Sequence, residues 1–482
     1  MTLTQRFVHA CEKFGHRTAI TDDTGEWSYA RCAAAAQGMA ALVRGSTTRP
    51  NVGILLPTCK EFVASLFGIL LAGKTPVPLN VFLSGEQLGY IVKDAGLDLI
   101  LTTGFFKELV TGRGAKPVYL EELPQAAPSS QPAPPVFGKP DDLFVILYTS
   151  GTTANPKGVM LTHANVISNM EGVIGAFGFT DKDVILGVLP LFHSFALTTS
   201  LALPMYIGAK VVYLRRFSAP KVVELIQAHK ITAVLAIPSM YRVLVRVSGI
   251  EKFDLRSLRL CVAGGEPLTQ DVVEAFGKHF PIPLLEGYGL TETSPVVSVN
   301  EPHRFRHGTA GRPIRDVEVK IVDDEGRALA AHCDGEVWVR GPNIMKGYLN
   351  LPKETAHAIT PEGWFKTGDI GRLDADGFLK ITGRKKDLII SSGENIAPGE
   401  IEEVLSKHPA VLEVAVVGAP DKARGEVVKA FIALAEGKTA TEDELRDFCR
   451  GKLAPFKIPK QFEFRPSLPR GLTGKILKRS LK

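Results

Sequence analysis

The sequence predicts an α/β fold: a large N-terminal domain of layered α/β subdomains with a small β unit, then a small α+β domain at the C-terminus. Three observations predict it. Short apolar runs alternate with longer stretches of helical period through most of the chain, as βα units around a largely parallel sheet do. Past about residue 310 the pattern changes to short alternating runs separated by turn residues, the signature of a smaller β unit. A charge-dense segment, Gly383-Arg-Lys-Lys-Asp387, then precedes a restart in which helix, hairpin and helix follow one another.

The strand-like runs are Asn51–Leu56, Leu99–Thr102, Val184–Pro190, Lys210–Leu214, Ala233–Ile237 and Leu258–Ala263. Between them lie helix-like stretches such as Cys59–Ala72, Ala164–Phe177, Ala219–His229 and Thr269–His279. The small β unit comprises Val317–Asp323, Gly335–Arg340 and Phe378–Thr382, with turns at Asp323-Asp-Glu-Gly326 and Asp374-Ala-Asp-Gly377. The last domain has helices over Pro398–Lys407 and Thr441–Leu453 and a hairpin pairing Val411–Val417 with Val428–Leu434. The predicted domains are therefore 1–385 and 386–482. The proline-rich stretch Pro124–Pro135 reads as a surface linker, because proline removes donors and blocks helical geometry.

Composition narrows the function. The chain has 482 residues, 45% hydrophobic and 22% charged, ordinary for a globular protein. A net charge of +6 is too weak to argue for nucleic acid. The basic excess gathers in Arg450–Lys482, where Glu463 is the lone acid. Such a tail either faces water or meets phosphates. Six scattered cysteines form no C-x-x-C pair, which disfavours a disulfide framework or zinc site and suits a reducing, cytoplasmic setting. The apolar run Phe62–Gly73 is too short to span a bilayer, which takes about 20 residues. No signal peptide is predicted at the N-terminus. Peripheral membrane contact and the oligomeric state stay open.

Three clusters carry chemistry. The first is Tyr148-Thr-Ser-Gly-Thr-Thr-Ala-Asn-Pro-Lys-Gly158, set between the apolar strands Leu143–Leu147 and Val159–Leu161. Small residues let backbone N–H groups point inward, hydroxyls donate to oxygens, and Lys157 supplies charge, as polyphosphate binding requires. It lacks the G-x-x-x-x-G-K-[ST] pattern of a Walker loop, and a plain polar hairpin loop is the competing reading. The second is Glu286-Gly-Tyr-Gly-Leu-Thr-Glu-Thr293, where a ring between glycines can stack on a flat base and a carboxylate beside a hydroxyl can hold Mg²⁺ bound to phosphate. The third is Lys366-Thr-Gly-Asp369, whose acid suits ribose hydroxyls. Either of the last two alone would equally be a packed turn.

In this order, the clusters resemble the adenylate-forming superfamily of acyl- and aryl-CoA synthetases, peptide-synthetase adenylation domains and beetle luciferases. The resemblance runs from about Ile54 to Lys478 and takes in further motifs: Pro190-Leu-Phe-His-Ser194, Ala263-Gly-Gly-Glu-Pro267, Trp364–Asp369, Gly383–Asp387, Ser392-Gly-Glu-Asn395 and Thr473-Gly-Lys-Ile476. Its style is closest to the fatty acyl-CoA ligases. The resemblance implies ATP, Mg²⁺ and coenzyme A as partners of a small-molecule carboxylic acid. Thr149, Ser150, Gly151, Thr152, Thr153 and Lys157 should then hold the β- and γ-phosphates. Gly265, Glu266 and Pro267 should lie along the adenine, with Tyr288 stacked on it between Gly287 and Gly289. Thr291 should contact the α-phosphate and Glu292 should bind Mg²⁺. Asp369, helped by Arg384, should hold the ribose. His193, Gly264 and Val296 should line the acyl pocket, Ser392 and Gly393 the pantetheine path. Lys386 marks the hinge of a mobile C-terminal domain, and Lys475 should bridge the substrate carboxylate and the α-phosphate.

Bland alternatives accompany several of these. A lone histidine such as His193 is often a satisfied core residue, and Lys386 is one of three consecutive cations that could simply be solvated. The nearest functional rival keeps adenylation but loads a carrier protein, or stops at the adenylate. Another acid, aromatic for example, is a second. A catalytically silent sensor on the same fold is the rival from a different class. The segments expected around the acyl group, Phe192–Leu197, Ile237–Tyr241, Ala263–Gly265, Gly287–Gly289 and Pro295–Val299, contain no Asp, Glu, Lys or Arg. That disfavours a dicarboxylate or amino acid, whose second charge would need a buried counter-charge.

Overall fold

Strands buried along their whole length, such as Ala233–Ala236 and Leu260–Gly264, must be covered on both faces. They sit inside a nine-stranded sheet with the order Arg312–Pro313, Val296–Val299, Leu284–Gly289, Leu260–Gly264, Ala233–Ala236, Val184–Gly187, Lys210–Tyr213, Thr18–Asp22 and Gly25–Ser28. From Leu284–Gly289 to Thr18–Asp22 neighbouring strands are parallel. The flanking strands at both edges are antiparallel. A second sheet, Thr75–Pro78, Asn51–Leu55, Leu99–Thr102 and Lys116–Tyr119, is parallel throughout. A third, antiparallel, pairs Leu143–Thr149 with Lys157–Thr162 and that strand with Gly347–Tyr348. This computed structural model describes residues 1–123, 134–149, 155–391, 394–421, 425–469, 476 and 478–481, the side chains of 395 and 479 excepted.

The predicted fold class is the one observed. Leu99–Thr102, Ala219–His229 and Gly335–Arg340 have the predicted bounds. Elsewhere the ends differ for local reasons. The strand predicted to Pro190 stops at Gly187, where its pairing with Tyr213 ends. The helix predicted over Thr441–Leu453 is Glu442–Cys449. Thr441 is its N-cap, in a capping box with Glu444, and Gly451 at φ 73° lies just past its end. Most of the proline-rich stretch lies outside the described residues.

By compactness the chain divides into two units. One is Met1–Glu318 with Val339–Phe365 and holds the three sheets above; the other is Val319–Trp338 with Lys366–Lys482. The sequence boundary at 385/386 thus falls inside the second unit. That unit joins most of the small sheet Glu318–Val322, Gly335–Arg340, Phe365–Leu373, Leu379–Arg384 to the C-terminal elements. Close backbone approach accounts for this. A Cβ on Gly399, in helix Pro398–Leu405, would come within 3.0 Å of the Thr382 carbonyl, so that helix lies directly on strand Leu379–Arg384. Its other face buries Ile401 and Leu405 against Val416, Val428 and Ile432 of the long hairpin Val411–Asp421 with Gly425–Leu434.

One buried titratable group in the first unit makes a testable contribution to stability. His163 is 3% exposed, opens helix His163–Phe177, and accepts a hydrogen bond at Nδ1 from the Leu3 amide, 3.3 Å away. Burial pushes its pKa down to about 4, against an opposing pull from Asp142. Between about pH 6.5 and 4 the unfolded chain binds the proton that the folded chain refuses, so stability falls as pH drops through that window. From this group alone the loss is roughly 2 kcal/mol by pH 5. A His163→Gln variant should show a shallower fall in urea midpoint from pH 7.5 to 5 than the unaltered protein. Parallel curves would assign the acid sensitivity elsewhere.

Candidate active site

In an open α/β sheet the crevice lies beyond the carboxyl ends of the parallel strands, where the strand order reverses. Here the two strands next to the antiparallel edge, Leu260–Gly264 and Leu284–Gly289, both run into glycines. Gly264 pairs with Gly287. A Cβ on Gly264 would touch the Gly287 carbonyl and the Phe195 ring at 3.4 and 3.5 Å. One on Gly289 would lie 2.1 Å from the Pro295 carbonyl, so only glycine fits. Gly265 takes φ 84° and is exposed with Pro267. Glu266 accepts from the Ser239 amide at Oε2, 3.1 Å, while its Oε1 is buried with no hydrogen-bond partner among the described residues. Tyr288 is half-buried. The predicted base platform and pocket wall are therefore one continuous surface of the first unit.

The turn that follows is held by side chains the sequence does not advertise. Asn169, fully buried, donates to the carbonyls of Thr293 and Val296 at 3.2 and 2.7 Å and accepts from the Val296 amide. Asn343, also fully buried, donates to the same two carbonyls. So bracketed, the turn presents Thr291 and Glu292 half-buried. Thr291 Oγ1 lies 3.2 Å from Ser194 Oγ. Glu292 Oε1 accepts from the Tyr348 hydroxyl at 2.9 Å. Burial, then the Glu292 charge, push the Tyr348 phenol far above its ordinary range, so it stays a donor. His193 is exposed, and its Nδ1 accepts from the Phe195 amide at 3.3 Å, capping the short helix Ser194–Ala196. It thus fixes Ser194 and Phe195 beside Thr291 and Gly264.

The phosphate-loop motif is framed by a hairpin in which Thr149 pairs with Lys157. Thr149 and Lys157 are described, whereas Ser150, Gly151, Thr152 and Thr153 lie outside the described residues. Lys157 Nζ stands 5.1 Å from the centroid of the Tyr348 ring. Asp94 steadies the hairpin, accepting from the Tyr148 hydroxyl at 2.6 Å and from the Asn350 side chain at 3.2 Å. The structure therefore links Lys157, Tyr348, Glu292, Thr291 and Ser194 in one connected group within the first unit.

The second unit holds the ribose candidate. Strands Phe365–Leu373 and Leu379–Arg384 set Asp369 opposite Arg384. Asp369 is 3% exposed, and its Oδ1 lies 2.7 Å from Arg384 Nε. Gly368, inside the first of these strands, takes φ 70°, and the Thr367 hydroxyl donates to the Val337 carbonyl. Lys386 is exposed in the short turn Lys385–Asp387. Ser392, Gly393 and Lys475 lie outside the described residues.

Two family models match the chain that carries these strand ends, this turn and this hairpin. The AMP-binding enzyme family matches residues 7–349, and its C-terminal domain family matches 400–475. The chain belongs to the AMP-binding enzyme family.

The relatives of this AMP-binding enzyme differ in the acid they are named for. A long-chain-fatty-acid–CoA ligase of Bacillus subtilis (strain 168) is 34% identical over 531 residues, covering 100% of this chain and 94% of that protein. A 4-coumarate–CoA ligase 1 of Solanum tuberosum is 33% identical over 461 residues, covering 91% and 85%. Among solved structures, the O-succinylbenzoate coenzyme A synthetase of Bacillus subtilis in complex with ATP and magnesium ion superposes with a TM-score of 0.90. It is 33% identical and covers 99% of this chain and 98% of that one.

Among the described residues no three His, Cys, Asp or Glu side chains converge as a metal cage. Glu292, held by the Tyr348 phenol beside Lys157, fits a cation that takes its remaining ligands from phosphate and water, as Mg²⁺ does. No described helix is long and apolar enough to cross a membrane. Sequence reasoning missed Asn169, Asn343, Tyr348 and Asp94. For Tyr348 a signal existed: Lys346-Gly-Tyr-Leu-Asn350 is a short turn-like sequence that carries an aromatic outside any longer apolar run.

Proposed function

We propose that this AMP-binding enzyme is an ATP-dependent acyl-CoA synthetase that activates a medium- to long-chain fatty acid. The observation that carries the choice of acid is the wall beside Gly264. Phe195 lies against it, Ile237 stands next to Gly265, and Val299 lies 3.1 Å from a Cβ position on Gly287, with no cation in the segments. An apolar tail gains there, and a second carboxylate would be stranded.

In this reading the acid's carboxylate oxygen attacks the α-phosphorus of ATP, the bond to pyrophosphate breaks, and an acyl-adenylate forms. Two anions must meet, so positive charge is needed at the α-phosphate. Lys157 and the Thr149–Thr153 donors hold the leaving pyrophosphate, Thr291 orients the α-phosphate, and Lys475 lies between phosphate and carboxylate. Mg²⁺ bound at Glu292 supplies further neutralisation of phosphate charge. Tyr288 packs on the adenine beside Glu266, and Asp369 with Arg384 holds the ribose. The thiol of coenzyme A then loses its proton and attacks the acyl carbon, and AMP leaves with the electron pair. For that step the segment 386–482 turns about Lys386 and brings Ser392 and Gly393 in place of Lys475. The enzyme works in the cytoplasm in this reading.

An aromatic acid is the second reading, favoured by the coumarate and succinylbenzoate relatives. Acid-dependent ATP–pyrophosphate exchange across a panel of acids separates the two. Fatty acids should gain about fourfold in kcat/KM per methylene until the pocket ends, from about 0.8 kcal/mol per buried CH₂. Highest kcat/KM for coumarate or benzoate would favour the aryl reading, and for acetate or malonate would discard both.

A further inference from the structure

The segment Asn343–Asn350 runs between the two motifs that bind charge, and it is stitched to both. On one side the Ser294 hydroxyl donates to the Asn343 carbonyl at 2.8 Å, and the Met345 amide donates to the Glu292 carbonyl at 2.8 Å. On the other, the amides of Lys346 and Leu349 donate to the carbonyls of Met160 and Gly158 in the hairpin strand that begins at Lys157. Tyr348 stands in the middle, pairing with Val159, with its hydroxyl on Glu292 and its ring 5.1 Å from Lys157 Nζ. A second bond holds the backbone there, from the Tyr348 amide to Thr355 Oγ1 at 2.9 Å.

We infer that Tyr348 is a positioning residue of adenylation: its hydroxyl orients the Glu292 carboxylate for Mg²⁺, and its ring seats Lys157 at the phosphates. The inference rests on the adenylation reading above and deepens it. A half-buried carboxylate has several rotamers, and a metal ligand must be held in one. A phenol donating to Oε1 fixes the direction of the carboxylate group. The face of the same ring attracts an ammonium group, which keeps Lys157 extended in place of collapsing onto Glu292. One side chain thus sets both charges and keeps them from neutralising each other.

Tyr348→Phe separates the two roles, since it keeps the ring and removes the hydroxyl. The measurements use the full chain: calorimetric binding of ATP in EDTA and at graded Mg²⁺, and acid-dependent ATP–pyrophosphate exchange over the same Mg²⁺ range. Tyr348→Phe should bind ATP in EDTA as the unaltered protein does. Its half-saturating Mg²⁺ should rise about tenfold, the effect of losing an outer partner of a metal ligand. Its exchange rate at saturating Mg²⁺ should fall by much less than that. Tyr348→Leu should add a loss of about threefold in ATP affinity in EDTA, from the missing ring face. Combined with Glu292→Gln, Tyr348→Phe should raise the Mg²⁺ requirement no further, because both act through one carboxylate.

An unaltered Mg²⁺ requirement in Tyr348→Phe, or full multiplication of the two effects in the double variant, overturns the role. Equal losses with and without Mg²⁺ would mark Tyr348 as a packing residue and overturn it too. A wild-type protein that binds no ATP would instead overturn the adenylation reading itself.

Discussion

Glu292→Ala should lose acid-dependent pyrophosphate exchange by at least about a hundredfold, the usual effect of removing a group that stabilises charge as it develops. Excess Mg²⁺ should not restore it. The backbone of the turn does not depend on this side chain. Asn169 and Asn343 hold Thr293 and Val296, and the Met345 amide uses the Glu292 carbonyl, which alanine keeps. The fold should therefore survive with the Tyr348 hydroxyl left unpaired, at about 1–3 kcal/mol. The second half-reaction starts from an adenylate whose pyrophosphate has gone, so conversion of supplied acyl-AMP and coenzyme A should fall far less. Near-normal pyrophosphate exchange by the variant would remove Glu292 from the mechanism, and a protein that fails to melt cooperatively would show that the turn needed it after all.

The contrast between Glu292 and Tyr348 shows where the sequence is legible. Glu292 sits in a dense run of glycine, aromatic, hydroxyl and acid residues, so its chemistry is local and can be read without a fold. The alternation of apolar strands with helical periods is local too, which is why Leu99–Thr102 and Ala219–His229 have their predicted bounds. Tyr348 acts on Glu292 across 56 residues of sequence, and Asn169 acts on Val296 across 127. Bonds of that span depend on sheet order, here on the antiparallel pairing of Gly347–Tyr348 with Lys157–Thr162, and no periodicity encodes it. His193 is a milder case. The motif marks it for the pocket, and only the structure shows that its ring caps the short helix that places Phe195 against Gly264. The grouping of the small β sheet with the C-terminal elements was equally out of reach. It depends on Gly399 approaching the Thr382 carbonyl, a contact that sequence spacing does not announce.

Lys475→Ala and Gly393→Leu should each stop a different half of the reaction. Lys475 follows Gly474 in the basic tail. Ile476 packs on the cluster of Phe431, Leu468 and Leu481, and Lys478 Nζ lies 2.6 Å from Glu402 Oε1 on helix Pro398–Leu405. The Lys475 charge matters only where carboxylate and α-phosphate meet, so Lys475→Ala should lose adenylate formation by about a hundredfold or more. It should still turn supplied acyl-AMP and coenzyme A into thioester. Gly393 belongs to the motif Ser392-Gly-Glu-Asn395, proposed above for the pantetheine path. A leucine there should obstruct a pantetheine arm that passes close to backbone, so Gly393→Leu should make adenylate and pyrophosphate at near-normal rate but little acyl-CoA. Both half-reactions are to be timed separately in both variants, with acyl-AMP followed by chromatography. If each substitution slowed the two steps alike, one fixed arrangement of the chain would serve both, and rotation about Lys386 would have no part in the mechanism.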